Sequence, residues 1–442
     1  MSAEVVSILV LAAIFVVAIA MSVNMGLLAF AAAFLVGTLA ADMTADDIFA
    51  VFPGGIFVVL VGITYLFGIA QLNGTVGWLV NLAMRGVGGR VGAIPWVMFA
   101  IAGVLTAIGA VSPAAVAIVA PIALGFAVQF GINPLLMGVM VVHGAQAGGF
   151  SPISVYGTIV NDALAEANLA QSEIAIFLAS LVFNTVVAAA VFVLFGGLRL
   201  LRGESAAVAT AGPSIGGRRM PPLIGGSPEA DTRGLPPRVK PPLEKLTPHQ
   251  MLTIAGLVAL VAITLIFDVD VGLVAISVAV VLTLASPKLQ KKAIEEIKWP
   301  VVLLICGVLT YVGVLEEMGT IDWVGENVAD VGAPLIAALL LCYVGAIVSA
   351  FASSVGVLGA FIPLSVPFLL QGEVGVLGTV AALAVSSTMV DVSPYSTNGA
   401  LVLANAREVD QDAFYRQLLI YGAVIVGVVP MLAWLALVVI GG

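Results

Sequence analysis

Apolar segments close to the length of a membrane-spanning helix recur along almost the whole chain, and they limit the folds that it can adopt. Only 9% of the 442 residues are charged, whereas 61% are hydrophobic. A soluble domain typically carries about 25% charged residues, and a helix needs roughly 20 apolar residues to cross the hydrocarbon core of a bilayer. The composition therefore predicts an all-α polytopic membrane protein and excludes a soluble globule.

The second half of the chain repeats the order of motifs found in the first half. Collinear matches at a nearly constant offset of 242 to 246 residues indicate an internal duplication. We therefore predict a first repeat over residues 1–199 and a second over 249–442. The matched motifs are 23–27 with 269–273, 64–65 with 310–311, 74–78 with 319–323, Ser112 and Pro121 with Ser354 and Pro363, and 151–154 with 393–396.

Residues 200–248 differ in composition from both repeats. This segment is rich in Pro, Gly, Arg and Lys and contains several Pro-Pro pairs. Such a composition cannot bury enough apolar surface to fold. It predicts an extended, solvated linker between the repeats.

Each repeat is predicted to contain five spans, a short amphipathic helix and one re-entrant helical hairpin. Polar or Gly/Pro breaks mark the two hairpin tips, at 110–113 and 353–356, and two broken spans, at 148–152 and 391–394. The arms of each hairpin are short for a full crossing. The unbroken spans are expected at about 4–21, 26–42, 53–72, 172–199, 250–267, 271–286, 299–317 and 414–440.

The distribution of charge gives the orientation. Five crossings per repeat is an odd number, so the second repeat must be inverted relative to the first. With the N-terminus outside, all 16 Lys and Arg residues fall in cytoplasmic segments, and the outer segments carry only acids. This split follows the positive-inside rule. It predicts a multi-pass protein of the bacterial cytoplasmic (inner) membrane, with a cytoplasmic linker and both termini outside.

The hairpin tips and broken spans are the predicted functional site. Non-helical backbone at membrane depth is tolerated where protein buries it or where it lines a wet cavity, and such breaks meet near the midplane in transporters with inverted repeats. Half-helix N-termini and hydroxyl groups can bind carboxylates, although Ser and Thr also serve as packing residues between membrane helices. The candidate substrate-binding residues are Ser112, His143, Gln146, Ser151, Ser154, Tyr156, Ser354, Ser393, Ser396, Thr397 and Asn398.

Two ionisable residues have open roles. Asp391 is the only acid that the threading leaves inside the membrane, where carboxylates are costly and indicate function. It can ligate Na⁺ or carry a proton, or it can cap the half-helix that follows the break. His143 can contact the substrate or relay a proton, or it can be a hydrogen-bonded structural residue.

Several types of chemistry are absent from the sequence. No Lys or Arg lies in a predicted span, so helix dipoles, hydrogen bonds and co-bound cations must balance an anionic substrate. This charge balance favours cation symport. The sequence has no Walker A motif, no metal cluster with ligand spacing and no catalytic constellation. It therefore predicts neither an enzyme nor ATP-driven transport by this chain alone.

The run 143–157, His-Gly-Ala-Gln-Ala-Gly-Gly-Phe-Ser-Pro-Ile-Ser-Val-Tyr-Gly, resembles the N-terminal region of the MatC family of malonate and dicarboxylate carriers. The resemblance extends from about Asn24 to Asn161. The second half resembles the wider ion-transporter superfamily, which includes the divalent anion/sodium symporters and arsenite permeases.

The resemblance implies an elevator-type mechanism, in which the first three spans of each half form a scaffold and the remaining elements move. Symporters of the superfamily carry Ser-Asn-Thr at each hairpin tip. The tips here read Val-Ser-Pro at 111–113 and Ser-Ser-Val at 353–355, so only the serines correspond. The superfamily is compatible with a homodimer. The candidate cation ligands are Ser112, Gly149, Ser353, Ser354 and Asp391.

The function expected from these observations is import of a small dicarboxylate, malonate or a four-carbon diacid, coupled to Na⁺, with H⁺ as the other candidate ion. The alternative on the same architecture is a cation/proton antiporter in which Asp391 carries the exchanged ions. A channel or a non-transporting receptor is a third class, which the paired broken helices disfavour. The expected partners are the substrate and membrane lipid, and not nucleic acid.

Overall fold

The computed structural model describes residues 2–21, 23–86, 90–201, 245–267, 269–320, 323, 334–351, 353–372, 374–406 and 409–441. Within these ranges the chain is helical and contains no strand. Residues 202–244 of the predicted linker and most of the short helix predicted at 320–330 lie outside the described residues.

Helices of the first half begin and end close to the predicted spans and breaks. They are α1 (Ala3–Met21), α2 (Met25–Ala40), α3 (Ala45–Ala50), α4 (Gly54–Leu72), α5 (Thr75–Gly86), α6 (Ile94–Ala107), α7 (Ser112–Phe130), α8 (Pro134–Gly148), α9 (Val155–Glu166), α10 (Glu173–Leu194) and α11 (Gly197–Leu201).

The second half follows a similar order. Its helices are α12 (Pro248–Phe267), α13 (Val271–Ala285), α14 (Gln290–Glu295), α15 (Trp299–Glu317), α16 (Pro334–Phe351), α17 (Ser354–Leu370), α18 (Val376–Met389), α19 (Thr397–Ala404) and α20 (Gln411–Ala433), which continues as a π-helical segment over Trp434–Val439.

Side-chain caps determine where several of these helices begin. Asn24 caps α2 by accepting from the backbone N–H groups of Gly26 and Leu27, and Asp270 caps α13 by accepting from Leu273. Such caps satisfy first-turn donors that have no partner within the helix. The two caps occupy corresponding positions in the predicted repeats.

Length and composition are compatible with several membrane crossings. Among the described residues, six helices are long and apolar enough to span a bilayer, or seven if the pair Val271–Ala285 and Pro287–Glu295, bent by 112°, counts as one span. The other apolar helices are shorter, including α8 and α18. The breaks shorten α8 and α18. The six long helices include α7 and α16, which were predicted as hairpin arms too short for a full crossing, and they do not include α1, α2 and α12, which were predicted as full spans.

The structure differs from the predicted elements in two respects. The short helices α3 and α14 were not predicted, because each has only six residues and follows polar connecting sequence. Both hairpin breaks also end earlier than predicted. Helix α7 begins at Ser112, so Ser112 and Pro113 lie in the helix. Helix α17 resumes at Ser354, so Val355 and Gly356 lie in the helix and not in the break.

Glycines allow two close helix crossings between the halves. Helix α2 packs on α15 where Gly26 meets Gly307, and α4 packs on α13 where Gly62 meets Gly272. A Cβ atom at any of these four glycines would overlap the backbone of the facing helix. Small residues permit this approach between membrane helices. The crossings join the first three long helices of one half to those of the other.

The remaining helices also pack across the halves. The hairpin helix α7 packs on α19, and the hairpin helix α17 packs on α9. Each hairpin therefore contacts the half-helix that follows the break in the opposite half. These two contacts bring both hairpin tips and both breaks into one region.

Candidate functional site

Four helices begin in this common region, and their first turns are satisfied differently. Ser154 and Ser396 cap α9 and α19 by accepting from the backbone N–H groups of Gly157 and Gly399. The residues before α7 and α17, Val111 and Ser353, make no side-chain cap. In α17 the N–H groups of the first turn have no intrahelical partner. In α7 Pro113 has no N–H and the N–H of Ala114 donates to the carbonyl of Val111 at 2.9 Å, which leaves only the N–H of Ser112. The two hairpin helices thus present uncapped N-termini.

Asp391 lies at the centre of the region and is 1% exposed. Its Oδ2 accepts from Gln146 Nε2 at 2.9 Å, and its Oδ1 accepts from the backbone N–H of Asn398 at 3.2 Å. The hydroxyl groups of Ser354 and Ser396 also interact with the carboxylate. Asp391 therefore caps α19, which is one of the roles that the sequence left open. It also contacts groups from both halves.

The tip of the first hairpin is tied to the second half by Asn398. The Nδ2 of Asn398 donates to Ser112 Oγ at 2.6 Å. Tyr156, in the first turn of α9, interacts with both Ser112 and Gln146. The structure therefore brings Ser112, Gln146 and Tyr156 from the first half together with Asn398 and its neighbour Asp391.

Two oxygen atoms beside Asp391 have no hydrogen-bond partner. They are Gln146 Oε1 and Asn398 Oδ1, and both side chains are 0% exposed. A buried acceptor without a partner costs roughly 1–3 kcal/mol. Each amide is oriented by its nitrogen, which donates to Asp391 or to Ser112. Two amide oxygens and one carboxylate therefore form a group of hard oxygen donors that could hold a cation.

The serines of the two breaks mainly stabilise the breaks themselves. Ser154 Oγ and Ser396 Oγ donate to the carbonyls of Ser151 and Ser393, each at 2.7 Å. Ser151 Oγ donates to the carbonyl of Ala107 at the end of α6, which ties the first break to its hairpin. The Oγ of Ser393 accepts from the backbone N–H of Tyr395 at 3.3 Å.

His143 is fully buried, and protein atoms occupy both of its ring nitrogens. Nδ1 lies 2.9 Å from Asn184 Oδ1, and Nε2 lies 2.7 Å from Tyr421 Oη. Asn184 Nδ2 donates to the carbonyl of Ser180 at 2.9 Å. This bond turns Oδ1 towards His143, so Nδ1 carries the proton and Nε2 accepts from Tyr421. In this conformation His143 has no free nitrogen for a substrate.

Three other candidates lie at the edge of the cluster or are already engaged. Thr397 is exposed, and Ser353 is only partly buried. The carbonyl of Gly149 accepts from Ser154 Oγ. Asp391 takes its hydrogen bonds from other residues.

Two polar residues of the network were not predicted. Ser180 and Asn184 lie one turn apart on α10 and are both fully buried. Ser180 Oγ donates to the carbonyl of Gln146 at 3.0 Å, which connects the network of His143 to the end of α8. Two polar residues four apart in an otherwise apolar span are the sequence signal that could have identified them.

A cavity of about 400 Å³ lies among α9, α15, α17 and the start of α4. Asp162, Glu166 and Glu316 line it together with apolar residues. Burial, with the nearby Glu166, Asp270 and Glu173 carboxylates, raises the pKa of Asp162 to about 6. The cavity lies towards the face that the charge distribution assigns to the outside.

Comparison with known proteins agrees with the predicted resemblance. Residues 1–149 match the model of the family described as "Dicarboxylate carrier protein MatC N-terminus". The chain is also similar to the YdaH transporter of Alcanivorax borkumensis, with a TM-score of 0.55, 14% sequence identity and coverage of 89% of each chain. At this identity the likeness shows a shared fold alone. No curated protein matches the chain significantly.

The family match, the shared fold and the apolar helices agree with one another. They indicate a multi-pass membrane protein that transports a solute and is not an enzyme. Residues 1–149 are similar to the N-terminal region of the MatC dicarboxylate carriers, and the described chain shares the fold of the YdaH transporter.

Proposed function

We propose that the protein is a secondary active transporter that imports a small dicarboxylate, malonate or a four-carbon diacid, together with Na⁺. One observation carries this proposal. The uncapped N-termini of the two hairpin helices meet beside a buried carboxylate that is flanked by two unpartnered amide oxygens. The helix N-termini favour binding of an anion, and the carboxylate with the two amide oxygens favours binding of a cation.

The anion would bind at the N-termini of α7 and α17. The start of a helix combines free N–H groups with the positive end of the helix dipole, which makes it a site for carboxylates. Ser112, the first residue of α7, adds a hydroxyl donor, whereas the hydroxyl group of Ser354 interacts with Asp391. The first-turn N–H groups of α17 and the N–H and hydroxyl groups of Ser112 on α7 would together suit a ligand with two carboxylate groups, which supports a diacid over a monoacid.

The cation would bind at Asp391, Gln146 and Asn398, next to Ser112 and Ser354. Hard cations prefer carboxylate and amide oxygens, and Gln146 Oε1 and Asn398 Oδ1 lack other partners. Among the described residues, Asp391 and His143 are the only buried side chains of the Asp, Glu, Lys, Arg and His types. No buried Lys or Arg would therefore offset a dianion, whose binding requires a cation beside Asp391.

Transport would occur by an elevator motion between inverted repeats. The scaffold would comprise α1, α2, α4, α12, α13 and α15, joined by the two glycine crossings. The hairpins and broken spans would move along it, and the cavity between α15 and the α9–α17 pair gives them space. We place the protein in the bacterial inner membrane with both termini outside, as a homodimer.

The test is uptake of radiolabelled malonate and succinate into proteoliposomes that contain the purified protein, with and without an inward Na⁺ gradient. We expect accumulation of at least one diacid that collapses when choline replaces Na⁺. Uptake driven only by a proton gradient would replace Na⁺ with H⁺. Absence of diacid uptake together with Na⁺/H⁺ exchange would reject the proposal and support the antiporter.

A further inference from the structure

The internal repeat allows the two breaks to be compared position by position. With an offset of 242 residues, Gly149 corresponds to Asp391, Tyr156 to Asn398, and Gln146 to Thr388. The surrounding residues are conserved between the breaks, since Ser151, Ser154 and Gly157 correspond to Ser393, Ser396 and Gly399. The two breaks therefore share a backbone pattern but differ at the positions that could hold a cation.

The break of the second half has the features of a cation site. Asp391 supplies a carboxylate. The Nε2 of Gln146 donates to this carboxylate and the Nδ2 of Asn398 donates to Ser112, while the amide oxygens of Gln146 and Asn398 have no partner. All three side chains are at least 99% buried. Unpartnered buried acceptors beside a buried carboxylate indicate a missing positive charge.

The break of the first half has none of these features. Gly149 has no side chain, and its carbonyl accepts from Ser154 Oγ. A Cβ at Gly149 would lie 2.8 Å from Cδ2 of Tyr156, so the tyrosine ring fills the space next to it. Thr388, the counterpart of Gln146, donates to the carbonyl of Ala384 at 2.8 Å.

We propose that the protein binds a single coupling Na⁺, at the break of the second half, and that Tyr156 closes the equivalent position in the first half. The inference rests on the proposed function only in describing this ion as the coupling ion. The number of Na⁺ ions follows from the difference between the two breaks, because only the second has the features of a cation site. A dicarboxylate with two negative charges would then cross with one Na⁺.

The test measures Na⁺ binding to the purified full-length protein without any dicarboxylate. The thermal midpoint in detergent is recorded against Na⁺ concentration, with choline chloride holding the ionic strength constant, because a ligand of the folded state raises the midpoint by mass action. At saturating Na⁺ each bound ion adds RT ln[Na⁺] to the stability of the folded state, so we expect the stabilisation to rise with ln[Na⁺] with a slope equivalent to about one ion. The Asp391→Asn variant should lose the response, and the surface control Asp412→Asn should keep it.

A gain-of-site variant tests the role of Tyr156. Gly149→Asp combined with Tyr156→Asn copies the second break into the first and removes the ring that would collide with the new side chain. We expect the stabilisation to rise more steeply with ln[Na⁺], with a slope equivalent to about two ions. Tyr156→Asn alone should remain near the wild-type value, because it adds no carboxylate.

The outcomes separate this inference from the proposed function. A wild-type slope equivalent to about two ions, a Na⁺ response that survives Asp391→Asn, or no Na⁺ response at all would overturn the single site. If the double variant does not fold, the wild-type and Asp391→Asn curves decide alone. Binding of one Na⁺ without diacid uptake would uphold the site and reject the dicarboxylate.

Discussion

At the scale of single residues, Asp391 is held entirely by neutral donors. A buried carboxylate usually requires a cationic partner or several hydrogen bonds. Asp391 receives its hydrogen bonds from the side-chain amide of Gln146 and the backbone N–H of Asn398. These donors tolerate the negative charge without neutralising it, so the site retains its attraction for a small cation.

Replacing Asp391 with Asn should remove this attraction while preserving the size of the side chain. We expect the Na⁺ concentration for half-maximal uptake to rise by about 10- to 100-fold or more, as for the loss of important contacts at other metal sites. The measurement is initial diacid uptake against external Na⁺ in proteoliposomes. Asp412→Asn, on the surface at the start of α20, is the matched control. Unchanged Na⁺ dependence in Asp391→Asn would exclude Asp391 as a ligand.

Asp162 should make stability depend on pH. Its pKa is raised by burial to about 6 from 3.8, so the folded protein holds this proton more tightly than the unfolded chain does. The destabilising contribution of the charged group is present above pH 6 and is lost as the pH falls from about 6 towards 4. Asp162→Asn should therefore stabilise the protein at pH 7 by on the order of 1 kcal/mol, after allowance for solvent screening.

Thermal midpoints of wild type and Asp162→Asn between pH 4 and 8 would check this sign. The two curves should converge near pH 4 and separate above pH 6. The exposed Asp46 gives the control variant Asp46→Asn. If the curves of wild type and Asp162→Asn are parallel throughout, Asp162 is not the group responsible.

At the scale of helices, the hydroxyl groups of Ser151 and Ser393 form hydrogen bonds with backbone groups. Ser151 and Ser393 sit at equivalent positions, but their hydroxyls make different contacts. Ser151 connects the first break to the end of α6, whereas Ser393 accepts a bond within its own break. Their effect on a substrate is therefore expected to come mainly from the position of the half-helices.

Ser151→Ala and Ser393→Ala should each raise the half-saturating diacid concentration. Loss of one hydrogen bond costs about 0.5–1.5 kcal/mol, which corresponds to roughly a 2- to 10-fold change. Uptake kinetics in proteoliposomes give this value directly. Ser277→Ala, which removes an exposed hydroxyl on α13, serves as the control. If neither break variant differs from this control, the substrate site lies elsewhere.

The glycine crossings should be sensitive to the smallest added side chain. A Cβ at Gly307 would overlap the backbone of Gly26, whereas Gly125 on α7 has open space around it. Overpacking costs about 1–3 kcal/mol, so Gly307→Ala should lower the thermal midpoint and Gly125→Ala should not. Equal midpoints for the two variants would contradict the close crossing of α2 and α15.

The positions of helices and breaks were largely predictable from the sequence, whereas the partners of polar side chains were not. Apolar length and Gly, Ser and Pro signals predicted the breaks at 110–113 and 391–394, which lie next to the helix starts at Ser112 and Thr397, because these signals act locally. The pairing of His143 with Tyr421 joins α8 to α20 across 278 residues. No local pattern encodes such a contact. Nor could the sequence decide that Thr397 faces outward while Asn398, one residue later, is buried.

At the scale of the whole molecule, the predicted orientation can be tested without transport. Arg90 and Asp46 are both exposed and are assigned to opposite sides of the membrane. In a background with the buried Cys306 and Cys342 replaced by Ala, single cysteines at these positions should react with a membrane-impermeant maleimide from opposite sides. Labelling is compared in intact cells and in inverted vesicles. Reaction of both positions from the same side would overturn the threading.

The two glycine crossings also have a consequence for the order of synthesis. Helix α2 has its closest glycine contact with α15, and α4 has its own with α13, so these helices of the first half lack their partners until the second half emerges from the ribosome. More than 300 residues must therefore be made before Gly26 can meet Gly307. During that interval the membrane-insertion machinery has to keep the early helices from associating wrongly, and neither half is expected to be a stable folding unit on its own.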